Sequence, residues 1–154
     1  FNFNDSKKLS LKSRKKMFEK IINSKSIFSV GLSNSKEVDN DGIVIATKNS
    51  MKKSLDKINY DYALIDSVDL MINKPYFNFN KADSISVSVA AASIIAKVCR
   101  DSMMSNIYDK LYPDYFFKNN KGYGSNKHIE IMKNIGLCTI HRKTFKPNSE
   151  LIRK

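Results

Sequence analysis

Tyr62-Ala63-Leu64-Ile65-Asp66 is a compact apolar run that closes on a carboxylate. It is too short for a helix and does not alternate, so it reads as a buried strand with Asp66 at its C-terminal end. Asn73-Lys74-Pro75 then breaks the pattern, and Tyr76 to Phe79 reads as a second short strand. A long helical segment is expected from Ser84 or Ser86, through Val89, Ala90, Ile94, Val98, Asp101, Met104 and Ile107. Its small residues (Ala90, Ala91, Ala92, Ser93, Ala96) allow close approach to a sheet, so it should be the most buried helix of the chain.

Upstream, Leu11, Arg14, Met17, Phe18, Ile21 and Ile22 keep helical spacing, and a Ser or Asp in Asn4-Asp5-Ser6 is placed to cap that helix. Residues 27–32 are β-branched and aromatic and read as a strand. Residues 35–40 are polar and read as a turn, and 43–58 read as a helix. Downstream, Tyr112-Pro113 ends the long helix, 114–125 form a loop, and 126–134 are helical with Gly136 as stop signal. The tail, 140–154, is basic and irregular at first. Strands alternate with helices, and neither a repeat nor a linker divides the chain. A single α/β domain over 1–154 is the expectation.

The chain has 154 residues and a formal charge of +12, with 42% apolar and 27% charged residues. That composition excludes a disordered chain and makes a polyanion the natural partner, nucleic acid before an anionic membrane. Most of the basic residues are Lys and Asn is abundant, so a biased genome would also produce this charge. No apolar run reaches the ~18 residues of a membrane span, and no strong basic-aromatic amphipathic helix marks a membrane surface. Cys99 and Cys138 make neither a disulfide framework nor a zinc quartet. The sequence begins at Phe1 without a signal peptide, and a cytoplasmic, monomeric protein is expected, with this chain a fragment of it.

Asp83 follows Asp66 just ahead of the small-residue helix. Two carboxylates at one sheet edge repel each other unless a cation neutralises them. Without a nearby Cys or His cluster, hard oxygen ligands suit Mg²⁺ or Mn²⁺, and such a pair would serve phosphodiester chemistry if the two acids meet. In Lys121-Gly122-Tyr123-Gly124-Ser125, glycines flank a Tyr that could stack on a sugar or base, or simply form a surface turn. His141-Arg142-Lys143 fits either phosphate contact or a solvated turn. His128 reads as a packing or capping residue. A phosphate loop, a dinucleotide glycine signature and a zinc-protease motif are all absent from the sequence.

Several segments, in order, resemble ribonuclease HII, the type 2 ribonuclease H: Asn4-Asp5-Ser6-Lys7-Lys8-Leu9-Ser10; Leu64-Ile65-Asp66; Lys81-Ala82-Asp83-Ser84; Ala90 through Asp101; Lys121 through Ser125; and His141-Arg142-Lys143-Thr144-Phe145. Each piece is weak alone, but together they span nearly the whole chain. The resemblance implies a ribonuclease H-like mixed sheet flanked by helices. It also implies cleavage of RNA in RNA–DNA hybrids and 5′ of ribonucleotides embedded in duplex DNA, with Mg²⁺ or Mn²⁺. Asp66 and Asp83 match the third and fourth family acids. Tyr123 matches the tyrosine that packs on the sugar at the RNA–DNA junction. Lys7, Lys97, Lys121 and Arg142 would screen the substrate backbone. Arg100 matches a segment near the groove, and Asp101 is read as supporting structure.

Two departures stand out. The family's first strand carries an adjacent Asp-Glu pair followed by Gly-Arg-Gly, and neither occurs in this sequence. The chain is therefore expected to lack its N-terminal strands and to be inactive alone. The alternative is a non-catalytic, basic nucleic-acid-binding fragment or a decayed paralogue. Asp66 is also followed by Ser67-Val68, where the bacterial pattern has Gly-Asn.

Overall fold

The computed structural model describes residues 10–152. Lys7 and the expected cap at Asn4-Asp5-Ser6 lie outside them. Contacts divide the chain into two compact units, Phe1–Leu32 with Thr47–Val98, and Ser33–Ala46 with Cys99–Lys154. The class is α/β, helix-rich with a small parallel sheet.

The first unit holds α1 (Leu11–Ile22), whose first turn is capped by Ser10, its Oγ accepting from Ser13 N at 3.1 Å. The sheet is β1 (Ala63–Asp66) paired in parallel with β2 (Tyr76–Phe79), with Ala63 opposite Tyr76 and Asp66 opposite Phe79. Residues 67–75 make a short connection for a parallel pair, where a crossover of a dozen or more residues is usual. Left-handed residues turn it back, Ser67 at φ 59° and Met71 at φ 48°. The Tyr76 hydroxyl donates to Asp69 and pins the same connection. Ala63 and Ile65 are buried with Leu70, against Met51, Leu55 and Tyr76. The strand is buried on one face only, since Leu64 is 42% exposed.

Residues 27–32 form no strand. They run along α3 (Ile43–Leu55), and their polar groups turn to that helix and the residues just after it. Lys53 Nζ donates to Leu32 O and Lys57 Nζ to Val30 O, each at 3.1 Å, and the Ser29 hydroxyl donates to Ser54 O. Lysine side chains here supply hydrogen bonds that a neighbouring strand would otherwise supply.

α4 (Ala82–Ile85) follows Lys81, which is left-handed at φ 59°. Ser86 is extended and breaks the run, so the long helix α5 (Val87–Met103) starts one residue later. Val89, Ala90, Ile94 and Ile95 are its buried residues, whereas Ala92 and Ala96 are exposed. Only part of the small-residue stripe is packed.

In the second unit, residues 35–40 are not a turn but lie within α2 (Ser35–Asp41). A capping box starts it: Asn34 Oδ1 accepts from Glu37 N at 2.9 Å, and Asn34 N donates to Glu37 Oε2 at 2.6 Å. A π-helical turn over Met104–Tyr108 and α6 (Asp109–Leu111) extend the long helix. The expected loop 114–125 contains a 3-10 turn (Pro113–Tyr115) and α7 (Phe117–Asn120), bounded by left-handed Phe116 and Lys121. α8 (Asn126–Ile135) begins at Ser125 and stops at Gly136, φ 81°, as the sequence indicates. α9 (Asn148–Leu151) lies in the tail. Phe117, Tyr115, Met104 and Met132 form the core of this unit.

Candidate active site

β1 delivers Asp66 to the end of the sheet, and its carboxylate is fixed on one side. Oδ1 accepts from Ala82 N and from the Ser67 hydroxyl, each at 3.0 Å. The first bond satisfies a backbone donor at the start of α4, so Asp66 itself anchors the turn that carries Asp83. Both acids line one open groove of roughly 940 Å³, otherwise mainly apolar, together with Leu64, Ala92 and Ala96. Among the described residues no hydrogen bond or ion pair engages Oδ2 of Asp66 or the Asp83 carboxylate. Unengaged carboxylate oxygens in one groove fit a hard divalent cation. Among the described residues there is no cluster of three or more His, Cys, Asp or Glu side chains. The fit rests on this pair alone. Lys97, also in this unit, is half-buried on α5.

Tyr123, Lys121 and Arg142 belong to the second unit. Tyr123 is 54% exposed, and the Arg100 guanidinium lies 5.0 Å from its ring centroid. Arg100 also pairs with Asp101 at 3.7 Å. Lys121 turns its ammonium inward, donating to the Ser105 hydroxyl and to Lys118 O. It therefore contributes positive potential rather than a projecting cation. Arg142 stacks on Phe145 at 3.8 Å. Burial lowers its pKa, as does the nearby Arg100 charge, while Asp39 opposes both.

The sequence reading missed what surrounds this loop. His128 and His141 are both buried, their Nε2 atoms 3.2 Å apart and their rings stacked. His141 is therefore no part of a solvated turn. Its Nδ1 lies 3.0 Å from Cys138 N and 3.1 Å from Cys138 Sγ. The thiol is free, and burial raises its pKa. Asp39 accepts from Lys143 N, Thr144 N and the Thr144 hydroxyl at 2.7–2.9 Å. Burial pushes its carboxyl pKa upward, but these bonds prevail and hold it below the usual range.

An acid closing a parallel strand, beside an acid opening the following helix, defines the class: an α/β protein with two carboxylates on one groove. The sequence model of the family described as Ribonuclease HII matches residues 1–148. The chain belongs to the ribonuclease HII family. It is 42% identical over 151 residues to the ribonuclease HII of Enterococcus faecalis, covering 97% of this chain and 59% of that protein. It is 41% identical to the ribonuclease HII of Acholeplasma laidlawii, over 99% of this chain and 76% of the relative. Its structure is similar to that of the ribonuclease H2 from Pyrococcus horikoshii OT3, with TM-score 0.75 and 26% identity, over 99% of this chain and 81% of that one. The chain thus spans about three fifths of the Enterococcus relative's length. No helix among the described residues is long and apolar enough to cross a membrane.

Proposed function

We propose that the protein carrying this chain is an endonuclease that hydrolyses the RNA strand of RNA–DNA hybrids and cuts 5′ of ribonucleotides embedded in duplex DNA. Family membership supports the reaction class. The observation that carries the assignment here is that Asp66 and Asp83 open onto one groove, with Asp66 held rigidly through Oδ1. Asp66 and Asp83 would hold Mg²⁺ or Mn²⁺, which supplies activation of water and stabilisation of the leaving oxygen. The protein's own residues bind and orient. Tyr123 would offer its exposed ring to a sugar of the duplex, where a 2′-hydroxyl distinguishes RNA from DNA. Arg142, Lys97, Lys7 and the inward-turned Lys121 add positive charge for the phosphates, so binding weakens steeply with salt.

Asp66→Asn in the full-length protein tests the assignment. It should cut cleavage of an embedded-ribonucleotide duplex by on the order of 10³-fold while leaving duplex binding intact. In calorimetric titrations of this chain, Mn²⁺ binding should weaken in both Asp66→Asn and Asp83→Asn. Cleavage near the unmodified rate refutes the role of Asp66. A non-catalytic nucleic-acid-binding role is the second reading, favoured by the lack of a larger acidic cluster among the described residues. It predicts duplex binding without cleavage in the full-length protein.

A further inference from the structure

Asn120 sits at the C-terminal end of α7, and every polar group of its side chain is engaged. Its Oδ1 accepts from Gly122 N at 2.7 Å. Its Nδ2 donates to Tyr115 O at 2.8 Å and lies 3.1 Å from His128 Nδ1. Its backbone oxygen accepts from Tyr123 N at 2.9 Å. The amide orientation is fixed by these partners, because only the oxygen can accept from Gly122 and only the nitrogen can donate to Tyr115. The remaining amide proton is therefore directed at His128 Nδ1, which must be an acceptor.

The consequence runs along the buried chain. A neutral His128 then carries its proton on Nε2, which faces His141 Nε2 at 3.2 Å. At the far end, Cys138 N donates toward His141 Nδ1 at 3.0 Å. Two fixed donors, Asn120 and Cys138, thus bracket two rings that each bring one proton of their own. Four donors share three contacts. A further proton on either ring would leave one more donor facing a donor, which disfavours the charged forms of the pair. Asn120 is the only one of these groups that also touches the backbone of the Tyr123 turn through both its side chain and its carbonyl.

We propose that Asn120 is a positioning residue for Tyr123: it ties the Gly122-Tyr123 backbone to the buried His128–His141 pair and so fixes the ring that the protein presents to a duplex. The consequence for substrate rests on the contact at Tyr123 proposed above; the brace itself does not. Gly122 is left-handed at φ 75°, a conformation with no side chain of its own to hold it, so the turn depends on bonds from outside.

Amide hydrogen exchange on this chain and a double-mutant cycle on hybrid binding test it. In Asn120→Ala, exchange at Gly122 and Tyr123 should rise about tenfold, while the amides of α8 keep their protection. Binding of a fluorescent RNA–DNA hybrid by the full-length protein, in Ca²⁺, should weaken about three- to tenfold, and Asn120→Ala should add less than about twofold in a Tyr123→Ala background. The near-isosteric Asn120→Asp keeps an acceptor for Gly122 N but loses both amide donors, so it cuts the tie to His128 and serves the binding measurement if the alanine variant does not fold. Unchanged exchange in the turn, equal loosening of α8, or additive binding losses would overturn the inference. If the turn loosens as expected but Tyr123→Ala binds normally, the brace stands and the role of Tyr123 in substrate binding fails.

Discussion

Lowering the pH should unsettle the second unit through His141, and the size of the effect follows from its surroundings. Burial is the larger cause and the neighbouring His128 the second; together they lower the His141 pKa from 6.5 to about 4. His128 is shifted in the same direction, again mainly by burial. The groups facing the rings are Asn120, the Cys138 thiol and backbone, and the aromatic faces of Tyr115 and Phe117. A basic group whose folded pKa is depressed stabilises nothing by being charged. Its cost appears when the unfolded chain takes up a proton that the folded ring refuses. Stability is therefore complete above the unfolded pKa, falls as pH drops below about 6.5, and levels off below about 4. The whole shift corresponds to about 3 kcal/mol, of which about 2 kcal/mol is lost by pH 5. For a chain of this length that is about 5 °C in melting temperature. Urea denaturation at pH 7.5 and pH 5 should show this loss in the unmodified chain. His141→Gln should show less, since it removes the titrating group while carboxylates titrate equally in both. Proton NMR should find the His141 ring still neutral at pH 5.5. Parallel losses in the two chains, or a ring that titrates near 6.5, would refute the reasoning.

Two further outcomes concern the first unit. A Cβ placed on Gly31 would lie 1.9 Å from Ser50 O and 2.7 Å from Ser54 N, both backbone atoms of α3 that cannot swing aside. Gly31→Ala should therefore destabilise the chain by about 3 kcal/mol, read as a lower denaturation midpoint; an unchanged midpoint would mean that residues 27–32 do not pack on α3 as described. Ser67 at φ 59° holds a left-handed conformation. Ser67→Gly should leave stability within about 1 kcal/mol, because relieved strain offsets added chain entropy, while Ser67→Val should cost about 1–2 kcal/mol in the same denaturation experiment. Equal stability of the two variants would argue against that backbone geometry.

The parts legible in the sequence were those decided by local pattern. The 62–66 run became β1, the spacing from Ile43 became α3, and the spacing from Asn126 became α8, ended by Gly136 where a stop signal stood. Residues 35–40 misled because a short polar helix has no apolar stripe to announce it; the legible signal was the Asn34-to-Glu37 spacing of a capping box. Residues 27–32 misled for the opposite reason. Their composition favours a strand, but Lys53 and Lys57 are more than twenty positions away and local pattern cannot show that they supply the hydrogen bonds. The same limit hid the histidine pair, whose members sit in different elements and gain meaning only once their rings meet. For Lys121 the residue type was read correctly as a cation, yet a left-handed backbone directs its ammonium to Ser105 and Lys118.

The two acids depend on each other, which decides how they should be probed. Asp66 uses Oδ1 to accept from Ala82 N, and α4 carries Asp83 one residue further on. Removing the Asp66 side chain would strip both a charge and the bond that starts α4, so lost activity in Asp66→Ala could come from either acid. Asp66→Asn differs in kind. An amide oxygen can still accept from Ala82 N and from the Ser67 hydroxyl, so the turn keeps its anchor, while the negative charge that attracts a cation is gone. Asp83→Asn removes the same charge from a side chain whose carboxylate has no partner among the described residues, so structure should survive it as well. If both variants fold as the unmodified protein does, their losses in cation affinity report electrostatics alone. Two carboxylates sharing one cation should then show strong non-additivity: either substitution alone removes most of the affinity, and the second adds little.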